Sequence, residues 1–296
     1  MPARLTAYLP DRPAASCLAR PPQRFRIGRG AECEFRIDHP SVSREHARLS
    51  WLDGHWQLQD LGSKNGSFVD SVRSESFVLG EHAWLRLGDI HCEFTALSDA
   101  AADKAEQRLG LRRANSLILI EGLAKQTALP DLLQETVRAA VELADCERGF
   151  LLLTHRGALD VAASHGLEAG EIRSRRFRGS VSAVQRALEQ RAAVVVNDIH
   201  ADGELAGRAS VIASNLRALV CLPLLAGGEP LGLIYADSRR AGVVITEMDL
   251  ELLRAFAERA AVWIAARRGM QALAELAAPA ALGWDEVLVA QETALE

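Results

Sequence analysis

The sequence predicts a multidomain chain of mixed β and α/β class. A β-sandwich over residues 1–98 is joined by a helical connector over 99–129 to an α/β domain over 130–268, and a short acidic tail follows over 269–296. Three observations predict this. Up to Leu97, short strand-like runs are separated by Pro and Asp, with turn signals at sandwich spacing. From 100 to 127 the composition turns to Ala, Leu, Lys, Arg and Glu without a single Pro. Beyond Pro130, helical and strand-like segments intermix, and a chain of 296 residues has room for two ordinary domains.

In the first domain, strands are expected at 5–9, 16–20, 24–27, 34–37, 47–52, 56–60, 67–69, 76–79, 84–87 and 90–97. Trp56, Leu58 and Asp60 alternate with Gln57 and Gln59, which buries one face of that strand and wets the other. Asp53-Gly54, Asn65-Gly66 and Gly88-Asp89 supply turns. In the connector, Asp99 is the expected N-cap. Leu109, Leu111, Leu117, Ile120 and Leu123 form a broad apolar stripe, able either to pack on the next domain or to pair with a second copy of the chain. In the last domain a helix opens at Pro130-Asp131, strands are expected at 149–154 and 159–164, and a helix at 180–190 precedes a strand at 193–198. A hairpin over 218–225 and 230–237 turns at Gly227-Gly228, and a long helix over 246–268 starts from Thr246.

Candidate chemistry concentrates at residues 27–69. Ile27-Gly28-Arg29, Ser43-Arg44-Glu45-His46 and Lys64-Asn65-Gly66-Ser67-Phe68-Val69 place an arginine, a hydroxyl, further cations and an amide on successive loops. That set suits a phosphate monoester, because arginine offers a planar donor fork and the hydroxyl and amide add directional bonds. Jointly these motifs resemble a forkhead-associated (FHA) domain, covering essentially all of residues 1–98. The resemblance implies phosphothreonine-peptide binding, with Arg29 and Ser43 on the phosphate and Asn65 on the peptide backbone. It also implies that His46 braces the Ser43 loop and that Gly28 and Gly66 serve the turns. Arg44 stands where a basic residue can reach the phosphate. Lys64 replaces the Ser or Thr of many members, adding charge without a hydroxyl. A nucleotide loop at 27–30 is the weaker reading, since no helix follows it.

The second domain resembles a GAF domain, through Glu147-Arg148-Gly149-Phe150-Leu151-Leu152-Leu153, Leu216 to Leu224, Leu231-Gly232-Leu233-Ile234-Tyr235-Ala236-Asp237 and the closing Thr246-Glu247-Met248-Asp249. The resemblance implies an antiparallel sheet flanked by helices, with a pocket lined by Phe177, Asp198, Asp202, Cys221 and Tyr235. The ligand is open: the cyclic-nucleotide signature is absent, and Cys146 and Cys221 sit in core-like positions rather than as bilin attachment points.

Composition excludes other classes. A net charge of −5 is not that of a general nucleic-acid binder, and no apolar run approaches a membrane span. Five scattered cysteines without a Cys-x-x-Cys pair fit reduced, buried thiols, and hence a cytoplasmic protein, better than disulfides or zinc. No catalytic set, metal site or cofactor is expected. The sequence therefore reads as a non-enzymatic bacterial signalling adaptor. Its expected partners are a phosphothreonine-containing protein, a Ser/Thr kinase or its substrate, and a second copy through the connector and GAF domain. The alternative is the regulatory front end of a sigma-54-type activator, nucleotide cyclase or histidine kinase.

Overall fold

The computed structural model describes residues 1–277 apart from 23, 156, 168–171, 173–178 and 198–215. The N-terminal domain is two face-to-face sheets. The first, in the order β2-β1-β11-β10-β7-β8, contains β1 (Ala3–Tyr8), β2 (Ala15–Ala19), β7 (Ser67–Val69), β8 (Val72–Arg73), β10 (His82–Leu87) and β11 (Ile90–Ala96). The second, β4-β3-β5-β6-β9, contains β3 (Arg24–Gly28), β4 (Phe35–Arg36), β5 (Ala47–Leu52), β6 (His55–Asp60) and β9 (Ser76–Leu79). Period-2 alternation drives the stacking: Leu5, Ile27, Leu49, Trp56, Leu58, Leu85 and Phe94 are fully buried between the sheets. Trp56 keeps its indole N–H satisfied by donating to the Met1 carbonyl at 3.0 Å.

The connector is α1 (Asp99–Ala124). Its N-cap is Ser98, not Asp99: the Ser98 hydroxyl accepts the Ala101 N–H at 3.2 Å, and Asp99 becomes the first-turn acid that suits the helix dipole. The apolar stripe divides. Leu119 and Leu123 are buried against the following domain, while Leu109, Leu111, Leu117 and Ile118 remain exposed.

The C-terminal domain has a five-stranded antiparallel sheet in the order β13-β12-β16-β15-β14. Its strands are β12 (Arg148–His155), β13 (Ala158–His165), β14 (Val194–Asn197), β15 (Ala218–Ala226) and β16 (Glu229–Ser238). α1, α2 (Leu129–Leu143) and α4 (Glu247–Ala277) pack on one face, burying Leu132, Val137, Ile234, Leu253 and Phe256, and α3 (Val181–Gln190) covers the other. Thr246 and Asp249 cap α4, the Thr246 N–H and hydroxyl donating to Asp249 Oδ2 at 2.9 and 2.8 Å. The helix runs to Ala277, well past the expected stop at 268. Gly269 does not end it, because Met270, Gln271, Ala272 and Leu273 are good helix formers. The rest of the expected acidic tail, from 278, lies outside the described residues.

The domains meet at the start of α4, where the Ala14 N–H donates to the Ile245 carbonyl and the Glu247 N–H to the Ala14 carbonyl, each at 3.0 Å. No described helix is long and apolar enough to cross a membrane.

Candidate functional site

The phosphate-type residues converge at one end of the sandwich because three loops are laced by backbone bonds. β3 ends at Gly28, where a side chain would collide with the Arg44 carbonyl. That contact lets the Arg29 N–H reach the Ser43 carbonyl at 2.9 Å and the Gly30 N–H reach that of Arg44 at 3.0 Å. Arg36 fastens the same loop from outside, its Nε donating to the Arg29 carbonyl at 3.3 Å. Arg29 is thus positioned through its backbone, and its guanidinium stands in solvent.

His46 is the internal brace. It is fully buried, accepts the Ser43 N–H at Nδ1 (3.1 Å) and donates from Nε2 to the Gly66 carbonyl at 3.1 Å. These two bonds fix the Nε2-protonated neutral tautomer. Burial holds its pKa below the ordinary value, with the Gly66 carbonyl and Asp60 opposing. One side chain therefore ties the Ser43 loop to the Asn65-Gly66 turn.

The hydroxyl of Ser43 accepts the Lys64 N–H at 3.0 Å, which leaves its own hydrogen to donate outward. This bond uses the backbone of Lys64, so lysine in place of Ser or Thr does not disturb it. Asn65 spends one amide hydrogen on the Ser41 carbonyl at 2.7 Å and turns the rest of its carboxamide to solvent. Gly66 has φ +80°, the left-handed region that favours glycine.

Behind the turn, Asp60 accepts the Ser63 N–H (2.8 Å), the Ser63 hydroxyl (2.7 Å) and the Ser67 hydroxyl (2.6 Å). Burial pushes this carboxyl up, but those bonds more than offset it and hold it below the usual range. Its negative charge is thereby occupied. The side chains of Arg29, Arg44 and Lys64 are exposed and make no ion pair among the described residues, while the neighbouring Glu45 is turned to Arg26 at 3.3 Å. The result is an electropositive edge with one outward hydroxyl and one carboxamide that keeps an N–H and its oxygen toward solvent, an arrangement able to hold a phosphate dianion and one peptide linkage.

Asp60 and Ser63 belong to the 60–69 motif that carries the FHA resemblance, and their spacing permits a side chain to cap its own turn, but residue type alone gives neither them nor Ser41 a role in building the site.

In the second domain, Cys221 and Tyr235 lie directly opposite each other on β15 and β16 and are fully buried facing α3. Tyr235 stacks on Phe150 at 4.8 Å, donates to Asp237 Oδ2 at 2.7 Å and accepts the Ser180 N–H at 3.3 Å. Arg148 completes the group, donating from Nη2 to Asp237 Oδ2 at 3.1 Å. Burial drives the Tyr235 phenol and the Cys221 thiol far up, Asp237 adding to both, so neither ionises near neutral pH. Phe177, Asp198 and Asp202 lie outside the described residues. No group of three metal-ligating side chains occurs among the described residues.

Comparison with known proteins agrees with both halves of this description. Residues 25–90 match the FHA domain and residues 128–264 the GAF domain. The chain carries an FHA domain followed by a GAF domain. It is similar to the FHA domain-containing protein FhaA of Mycobacterium tuberculosis, 36% identical over 62 residues, which are 21% of this chain and 12% of that protein. It is also similar to the oxoglutarate dehydrogenase inhibitor of Corynebacterium diphtheriae, 30% identical over 87 residues, 29% of this chain and 54% of that one. The chain thus spans about half or less of the length of these relatives. Among solved structures, the FhaA FHA domain complexed with the intracellular domain of Rv3910 is 29% identical. The match covers 30% of this chain and 98% of that one, with a TM-score of 0.28.

Proposed function

We propose that this protein is a non-enzymatic signalling adaptor. Its FHA domain binds a phosphothreonine segment of a protein partner, a Ser/Thr kinase or its substrate, through Arg29, Ser43 and Asn65, with Arg44 and Lys64 adding attraction. The observation that carries this reading is the Ser43 hydroxyl: engaged as an acceptor by the Lys64 N–H, it keeps its own hydrogen for a phosphate oxygen beside the unpaired Arg29. The relatives support it in kind, one being named as an inhibitor and the other seen with an intracellular domain as partner. The GAF domain and connector serve dimerisation. Leu109, Leu111, Leu117 and Ile118 of α1 and Val262, Met270 and Leu273 of α4 are exposed on helices that pack together, which supports a second copy as their cover.

Fluorescence anisotropy with an oriented phosphothreonine peptide library tests the binding half, with phosphoserine and unphosphorylated libraries alongside. Selective retention of phosphothreonine peptides is expected, and equal retention of unphosphorylated peptides contradicts it. Sedimentation velocity tests the second half: a dimer is expected, converted to monomer by Ile118→Glu, and a wild-type monomer contradicts it.

A further inference from the structure

Beyond the phosphate loops, the outer face of the six-stranded sheet carries a row of side chains set by strand register. Phe68 of β7 lies opposite Arg73 of β8 on one side and Arg86 of β10 on the other. Directly opposed residues share a face of the sheet, so all three side chains stand together. The Arg86 guanidinium is 3.6 Å from the centroid of the Phe68 ring and that of Arg73 is 5.9 Å from it, both within cation–π reach.

The two arginines differ in what else they do. Arg86 donates to the Gly88 carbonyl at 2.9 Å, which fixes it in place. Arg73 is exposed and makes no ion pair among the described residues. It leans over the binding turn: a Cβ added to Gly66 would lie 2.7 Å from Arg73 Nε and 3.1 Å from its Nη2. The carboxylate of Asp70 on the same hairpin is directed elsewhere, accepting the Trp84 N–H at 3.1 Å. Arg73 is therefore a pre-positioned, unneutralised cation beside the Asn65-Gly66 turn. Phe68, 5.9 Å away at its ring centroid, gives this guanidinium an aromatic neighbour at the outer limit of cation–π reach.

We infer that Arg73, standing beside Phe68 and Arg86 and over the Asn65-Gly66 turn, is a specificity-determining residue that selects phosphothreonine partners bearing a carboxylate close to the phosphorylated residue. The inference rests on the phosphopeptide reading above and deepens it. The phosphate is held by Arg29 and Ser43 at one side of the turn. A peptide crossing Asn65 then brings a neighbouring side chain over Gly66, where Arg73 offers its donor fork to Asp or Glu. Lysine at that position of the peptide meets two arginines and is rejected.

The experiment is anisotropy on the full chain, using phosphothreonine peptides with otherwise alanine-rich flanks. Asp, Ala or Lys is placed singly at each of the three positions on either side of the phosphothreonine. The wild type is expected to favour Asp over Ala at one such position by about fivefold, the upper range for an exposed opposite-charge pair. Arg73→Glu is expected to invert that order, preferring Lys, each flank being compared with the all-alanine phosphopeptide measured on the same variant. Arg73→Gln, which keeps size and donors, should erase the preference without inversion, and matched melting temperatures confirm that both variants fold. An unchanged flank profile in both variants, with phosphothreonine binding still abolished by Arg29→Ala, overturns the inference alone. Absence of phosphothreonine binding in the wild type overturns the underlying reading and the inference with it.

Discussion

Replacing His46 with alanine removes both bonds that tie the Ser43 loop to the Asn65-Gly66 turn. The Ser43 N–H and the Gly66 carbonyl are left without their partner, at roughly 1–3 kcal/mol each. The sum, about 2–6 kcal/mol, lowers the melting temperature of a domain this size by at least about 8 °C. Acid should do the same to the wild type. Protonation puts a hydrogen on Nδ1, which then faces the Ser43 N–H, two donors opposed. Because the folded pKa is depressed below 6.5, the unfolded chain binds the proton first, so stability is complete above that value and falls as pH drops through it. The slope approaches about 1.4 kcal/mol per pH unit for one proton. Tryptophan fluorescence melts between pH 8 and 5 follow this, since three of the five tryptophans, Trp51, Trp56 and Trp84, lie in the FHA domain. His46→Ala should melt early and lose the part of the pH dependence due to this group. An unshifted melting temperature, or an unaltered pH slope in the variant, refutes the brace.

Other consequences follow from the same geometry. Gly28→Ala drives a methyl into the Arg44 carbonyl, and a loss of about 1–3 kcal/mol is expected in urea denaturation together with weakened phosphopeptide binding. Arg148→Ala strands the fully buried Asp237 carboxylate and should cost the GAF domain about 3–5 kcal/mol, read as loss of its own calorimetric transition or a marked drop in its midpoint. Burial pushes the Cys17 thiol up to about 12 and raises those of Cys92, Cys146 and Cys221. A thiol-reactive chromophore at pH 8 should therefore label these slowly in the native protein and all five cysteines at once in guanidinium; rapid native labelling contradicts the burial.

Much of this architecture is legible in the sequence because each element carries a local cause. Alternation in Trp56-Gln57-Leu58-Gln59 declares a half-buried strand, and Gly227-Gly228 declares a hairpin. What escaped was weakly patterned. β8 is two exposed residues, Val72 and Arg73, with too little length to alternate. Ser98 and Asp99 are equally competent caps, and only the helix's entry decides between them. Gly269 reads as a stop, yet the helix formers that follow it carry the helix on to Ala277. In the site, Arg29, Ser43 and Asn65 stand out as chemically apt residues on turns. Ser41 acts through its carbonyl, and Ser63 binds the adjacent turn, roles that residue type alone does not announce. Arg73 was silent for a related reason: its place beside Gly66 comes from cross-strand register, which the sequence does not display.

The measurement that bears most directly on the central claim is calorimetric titration of a phosphothreonine peptide into the wild type and into Arg29→Ala. Arg29 is exposed and shaped by backbone bonds that alanine retains, so the variant should fold normally. Loss of a charge-assisted bond predicts at least about tenfold weaker binding, one factor of ten being about 1.4 kcal/mol. Near-wild-type affinity in a normally melting variant would contradict the assignment of this edge as the phosphate site.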